Sequence, residues 1–433
     1  MSRRREGRRG RGRRALLALL VTVALADSAT LAGAAVLHAR RLERVSGTNA
    51  VTAPELVAAR RQGAFTTTVE YAALFSAEGH RVTSEVSWDD DWFFEDPTTY
   101  NHELAHTCAV LSAVANAESA YYQQGSTAPA YAEHALADLG FEEVETSSYR
   151  YRSEVMDEVL GIVDGTDVVA YTVATRRVRS SQTGAEKLLT VVMVRGSYGS
   201  EWLSNARIEG AGTEGDGGDH LGFTLAAEEI VADLERRAAA EDPDVERTYL
   251  FCGHSRGAAV ANLLASYADG ASGGSGAITS AESVRAYGFA TPNCTSAADA
   301  RDARYDNIFN VLNPSDVVTM LPLESWGYRR YGRDVWLPQM GDDAATDEMR
   351  SSYAASMGAD CPVTEDDRAA AVELVERVGA SVSSFDELVT PAGLASLVQA
   401  CLGVDVGRLL ASHYPNTYIA WLDATTAADL TFS

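Results

Sequence analysis

The sequence predicts an α/β fold built on a mostly parallel central sheet, and two observations carry that reading. An apolar, β-prone run, Tyr249 to Cys252, enters Gly253-His254-Ser255-Arg256-Gly257, and a small-residue run with Ala258, Ala261 and Leu264 at helical spacing leaves it. Strand-like and helix-like runs alternate on both sides of that pentapeptide, with no internal repeat.

In chain order, the first fourteen residues hold eight Arg and one Glu, and Ala15 to Leu37 follows with Asp27 as its only charge. As one helix those residues rise about 35 Å, enough to span a membrane. Asp27 opposes insertion by about 3 kcal/mol, which the surrounding Leu, Val and Ala offset. Residues 1–45 are therefore expected to form an Arg-rich N-terminus and an anchor that leaves the body outside. Ala24-Leu25-Ala26 supplies the competing reading, a signal-peptidase site. A juxtamembrane linker covers about 40–65. Trp88 to Pro97, WDDDWFFEDP, lacks the spacing of a calcium loop and is expected to be a solvated loop.

Helix is predicted from about Asn101, with Leu104, Cys108, Leu111 and Ala115 on one face, and again over Ala130 to Leu139. Asp167 to Thr175 and Lys187 to Val194 read as strands. The Gly-rich, acidic stretch Leu203 to Gly218 reads as a loop, and Phe223, Ala227, Ile230 and Leu234 as an amphipathic helix. After the Ser255 helix come a flexible loop, Gly270 to Gly276, and strands at Ser283 to Ala290 and Asn307 to Leu312. Residues 46–433 are expected to be one domain, with a helical addition at about 65–160 and a helical insertion at about 326–412.

Composition narrows the function. The chain holds 36 basic and 61 acidic residues, a net of −25; without the first fourteen it holds 28 and 60, a net of −32. Such a body offers no basic footprint for nucleic acid. The five cysteines, Cys108, Cys252, Cys294, Cys361 and Cys401, are too few and too scattered for a disulfide framework, and none forms a CxxC zinc pair. Cys361 and Cys401 are candidates for a single bridge.

Two motifs compete for the chemistry. His102-Glu103-Leu104-Ala105-His106 is a literal H-E-x-x-H on a predicted helix, which fits a zinc metallopeptidase with Glu103 as base. The extended form of that motif needs Gly and His where Ala109 and Ser112 stand. The other motif is G-x-S-x-G between strand and helix. A nucleophile on so sharp a turn needs neighbours without bulk two residues before and after, which Gly253 and Gly257 supply. The helix N-terminus beneath the serine oxygen favours developing negative charge.

A serine nucleophile needs a base, an acid and an oxyanion hole. His413 is the only histidine after Ser255 and becomes the candidate base by elimination. Asp316, in NVLNPSDVVTMLP, lies on a turn after a strand and is the candidate acid, with Asp334 and Glu324 next in line. The oxyanion donors are expected at the Arg256 N–H and at Ser197, in Arg195-Gly196-Ser197-Tyr198-Gly199 at the end of the Lys187 strand.

Taken together, VMVRGS, HLGF at His220 to Phe223, FCGHSRGAAVANLLA, VRAYGFATPN, NIFNVLNPSDVVTMLP and the late His413 resemble the class 3 (fungal lipase-like) serine lipases. The resemblance covers about residues 160 to 325 plus the chain end. It implies the α/β-hydrolase fold, ester hydrolysis on acyl lipids, Ser197 and Arg256 as oxyanion donors, and a lid near Tyr198 to Gly218. It makes His220 part of a structural turn, not the base. No metal or organic cofactor follows from it.

The expected protein is an extracytoplasmic serine ester hydrolase acting through Ser255, Asp316 and His413. Its expected partners are a lipid or small ester and, through the N-terminal segment, a membrane. A zinc peptidase at His102 and His106, or a catalytically silent envelope binding protein, is the alternative.

Overall fold

The computed structural model describes residues 50–52, 58–74, 80–117, 130–147, 169–196, 219, 221–242, 244–268, 278–388 and 390–433. The expected anchor, Ser197, the expected lid and His220 lie outside the described residues. Among those described, no helix is long and apolar enough to cross a membrane.

Among the described residues the main sheet has nine strands: β1 (Ala50–Thr52), β4 (Glu142–Ser147), β5 (Tyr171–Arg179), β6 (Glu186–Val194), β7 (Arg247–His254), β8 (Val284–Phe289), β9 (Ile308–Leu312), β10 (Arg333–Trp336) and β11 (Thr431–Phe432), in that spatial order. The five central strands, β6 to β10, run parallel; the strands outside them pair antiparallel. A parallel centre needs a cover on both faces, and its strands read as near-continuous apolar runs for that reason. Along β7, side chains alternate between two cores. Tyr249 and Phe251 meet the helices α3 (Leu221–Ala240) and α4 (Arg256–Ala268). Leu250 and Cys252 point the other way, into the core of α1 (His102–Ala115) and α10 (Pro415–Asp423).

The region before the parallel sheet differs from the helical addition expected at 65–160. It opens with a two-stranded antiparallel hairpin, β2 (Phe65–Ala72) and β3 (Arg81–Trp88), before α1, α2 (Tyr131–Asp138) and β4. The hairpin strands follow period two, with Val82, Val86 and Trp88 inward, and are rich in Thr and Val, which suit a half-buried pleated face. Asn101 caps α1, its side chain accepting from the Leu104 N–H at 2.9 Å.

The expectation of a solvated loop at Trp88 to Pro97 is overturned. Trp88 and Phe93 are buried, and Asp90 is wholly enclosed. Asp90 Oδ1 accepts from Arg176 Nε at 3.2 Å and Nη2 at 3.0 Å, and from Trp88 Nε1 at 3.0 Å. Arg176 also donates to the Leu139 and Arg61 carbonyls. Both charges are thus paired and hydrogen-bonded, the condition for burying them.

The region after β9 is largely helical. It contains α5 (Ala344–Met357), α6 (Asp367–Ser381), α7 (Phe385–Leu388), α8 (Pro391–Ala400) and α9 (Val406–Ala411), but also β10. Helix α5 sends Met349 and Tyr353 into the main core, whereas α6 to α9 build a small cluster of their own around Ala371, Leu374, Val378, Phe385 and Leu409. Thr390 caps α8 with Pro391 at its first turn, and Gly358 closes α5 in the left-handed region. All five cysteines are free thiols; Cys361 packs against the main core and Cys401 against the small cluster, so the candidate bridge is not formed.

Candidate active site

Parallel strands put their C-terminal ends on one edge, and β7 and β9 bring Ser255 and Asp316 to that edge together. Ser255 sits between β7 and α4 with φ +60°, a left-handed conformation that costs a non-glycine residue strain and marks a functional turn. The turn is as crowded as its glycines imply. A Cβ at Gly253 would overlap the Gly257 backbone, one at Gly257 would overlap the Val194 carbonyl, and one at Gly196 would lie 2.5 Å from the His254 carbonyl oxygen. The Ser255 N–H donates to the Phe289 carbonyl at 2.8 Å, tying the turn to β8.

His413 lies between α9 and α10, with its ring against the serine. Its Nε2 is 2.9 Å from Ser255 Oγ and its Nδ1 is 2.8 Å from Asp316 Oδ2. Since a carboxylate only accepts, Nδ1 carries the proton, leaving the Nε2 lone pair for the serine hydroxyl. All three residues are buried.

Three donors hold the Asp316 carboxylate. Oδ1 accepts from the Val318 N–H at 2.9 Å, while Oδ2 accepts from His413 and, at 2.7 Å, from the Tyr418 hydroxyl. Tyr418 OH in turn accepts from the Asn313 N–H at 3.1 Å. The Asn313 amide donates to the Ser412 carbonyl at 2.9 Å, so one side chain links the acid's turn to the base's loop. Burial and the neighbouring Asp316 charge push the Tyr418 phenol well up, so it stays a donor.

A second imidazole, His254, packs against His413 with ring centres 4.8 Å apart and the rings tilted by 48°. Its Nε2 donates to the His413 carbonyl at 2.6 Å. Burial, then the His413 charge, hold its pKa well below the usual histidine range.

Arg256 opens α4, so its backbone N–H stands at the helix N-terminus beside Ser255, where anion stabilisation needs it. Of the rival acids, Asp334 is engaged by Arg301 at 2.6 Å and Arg330 at 3.3 Å, and Glu324 lies in a short 3-10 turn. The H-E-x-x-H pair turns towards α10: His102 Nε2 is 3.0 Å from the Leu422 carbonyl and His106 Nε2 is 2.8 Å from Asp423 Oδ1. Among the described residues no group of three or more His, Cys, Asp or Glu is placed to hold a metal. Sequence reasoning missed Tyr418, Asn313 and His254 as supports. Only His254, inside the pentapeptide, carried a local signal.

The sheet order and the serine turn at its central strand define an α/β hydrolase. Residues 179–326 match the family described as lipase (class 3), and the chain is a lipase-type carboxylic ester hydrolase. Similar solved structures include a mutant form of MDLA from Penicillium cyclopium, at 21% identity, covering 57% of this chain and 84% of that one, TM-score 0.35. A triacylglycerol lipase matches at 18% identity over 57% of this chain and 83% of its own, TM-score 0.38. The Rhizomucor miehei lipase propeptide complex matches at 20% identity over 55% and 70%, TM-score 0.35. No curated protein matches the sequence.

Proposed function

We propose that the protein is an extracytoplasmic serine lipase or esterase that cleaves acyl esters of the acylglycerol kind with Ser255 as nucleophile, His413 as base and Asp316 as its orienting acid. The observation that carries this reading is the unbroken hydrogen-bonded chain that starts at Ser255 Oγ on a strained turn and runs through His413 to Asp316. His413 Nε2 takes the serine proton as Oγ bonds to the acyl carbon. The carbonyl oxygen becomes an oxyanion, received by the Arg256 N–H and a donor from Ser197. The imidazolium then protonates the leaving oxygen, the ester C–O bond breaks and the alcohol departs. Water repeats the sequence on the acyl-enzyme: His413 removes its proton, the carboxylic acid is released and Ser255 regains its hydrogen. No step uses a cofactor, and the expected partners are the ester and, through residues 1–45, a membrane.

The test is hydrolysis of p-nitrophenyl esters of graded chain length, with labelling by a fluorophosphonate. Ser255→Ala abolishes both; residual labelling at another serine defeats the assignment. Asp316→Asn lowers kcat by about 10³- to 10⁴-fold with little change in KM, and near-normal turnover moves the acid elsewhere. A chain beginning near Ser46 stays active but loses the membrane fraction of expressing cells. If that chain still sediments with membranes, the anchor reading fails.

A further inference from the structure

The end of β6 is held by a residue from outside the family-matched segment. Strand β6 leaves the sheet at Val194; Arg195 N still donates to the Ala170 carbonyl, and the next N–H, that of Gly196, has left the ladder. It donates instead to Asn116 Oδ1 at 3.0 Å. Asn116 is the C-cap of α1, is buried, and donates through Nδ2 to the Ser112 carbonyl at 3.1 Å. A carbonyl only accepts and a backbone N–H only donates, so the amide has one allowed orientation: a flip breaks both bonds. The Gly196 Cα also faces the carbonyl of His254, the residue before the nucleophile: a Cβ there would lie 2.5 Å from that oxygen and 3.4 Å from Asn116 Oδ1. Gly196 is therefore held close to both the end of α1 and the serine turn.

We propose that Asn116 is a positioning residue for ester hydrolysis: its side-chain carbonyl fixes the Gly196 peptide beside the His254 carbonyl, and thereby the serine turn that carries Ser255 and the Arg256 N–H. This rests on the triad reading above. Oxyanion donors act only when aimed at the place where charge develops, and a misplacement of about 1 Å costs about 100-fold in rate. An α1 side chain thus reaches the reaction without touching the substrate.

The experiment compares Asn116→Ala, which removes the acceptor, with Asn116→Asp, which keeps an oxygen for Gly196 and loses the donor to Ser112. The protein is the full chain and the substrate a soluble p-nitrophenyl ester. For Asn116→Ala, kcat falls about 10- to 100-fold, KM stays within about threefold, phosphonate labelling of Ser255 slows in proportion, and the pH profile keeps its shape. Asn116→Asp recovers most of the rate. A folded Asn116→Ala with kcat within about twofold of the parent overturns the proposal, as does a change confined to KM or a shifted pH profile. Should Asn116→Ala not fold, Asn116→Asp decides. Parental turnover supports the role, and a loss in the folded Asp variant, or failure of both variants to fold, makes the residue purely architectural and overturns it. If the parent neither hydrolyses esters nor labels at Ser255, it is the triad reading that has failed.

Discussion

Two stretches flank the segment that matches the lipase family, and they are attached in different ways. Of residues 58–147, the described segments 58–74, 80–117 and 130–147 are built into the main core. Trp88, Phe93, Leu104, Leu111 and Phe141 share it with the central strands, and the Arg176–Asp90 pair crosses the junction. Residues 364–411 instead close on themselves: α6 to α9 form a separate apolar cluster, Arg408 pairs with Asp367 inside it, and Val317 and Val318 extend it to the turn that carries Asp316. Both stretches lie outside the minimal lipase segment, yet only the first is inseparable from the sheet. Lying outside a family's common segment is therefore no guide to lying outside the core.

The sharpest break is at Arg176. Arg176→Ala strands Asp90 as an enclosed, unpaired charge, which costs about 3–5 kcal/mol. One cooperative urea transition at a much lower midpoint is expected. A loss below about 1 kcal/mol would demote residues 58–147 to a peripheral addition.

Leu111→Ala and Leu374→Ala remove the same atoms from the two clusters and are next in size, at about 2–5 kcal/mol for the first. Leu111→Ala lowers global stability. Leu374→Ala acts mainly by speeding amide exchange within 364–411 while the β7 and β8 amides keep their protection. Equal global losses from the two would erase the distinction.

Tyr418→Phe, on the helix that residues 58–147 brace, removes one donor to Asp316. That bond is worth about 1.5–3 kcal/mol, so kcat falls about 10- to 100-fold with KM nearly unchanged. Unchanged turnover would show that Asn313 and Val318 hold the turn unaided.

The smallest effect is electrostatic. Burial opposes ionisation of Asp423, but the His106 hydrogen bond and charge and the Ser352 hydroxyl outweigh it and hold the carboxyl below its usual value. A folded value below the unfolded one gives stability that is present above about pH 4 and fades as the pH falls. The side chain is 39% exposed, so solvent screening keeps the contribution under about 1 kcal/mol. His106→Ala should remove this acid-side loss; a stability curve of unchanged shape below pH 4 would mean that the α1–α10 tie carries no weight.

The elements nearest Ser255 were the most legible in the sequence, because each local rule there agreed with the fold. Gly253 and Gly257 announced a turn too crowded for a Cβ, His413 followed from scarcity, and Asp316 from its place after a strand. What stayed hidden depended on partners far along the chain. WDDDWFFEDP reads as soluble because its carboxylates are visible, while the Arg that buries Asp90 stands 86 residues away. The β2–β3 hairpin escaped notice because its inward residues alternate with Thr, Ser and Glu and leave a weak apolar signal. Asn116 looks like any residue at a helix end until β6 arrives, 80 positions later.

The contact between the His254 and His413 imidazoles bears on how activity depends on acidity. Burial and the His413 charge hold His254 well below the usual histidine range and outweigh its hydrogen bond to the His413 carbonyl, which by itself favours protonation, so His254 stays neutral at ordinary pH. Two rings in contact therefore behave as one acid–base group. The acid limb of log kcat/KM should rise with a slope of one, and the catalytic imidazole has no neighbouring reservoir with which to share its charge.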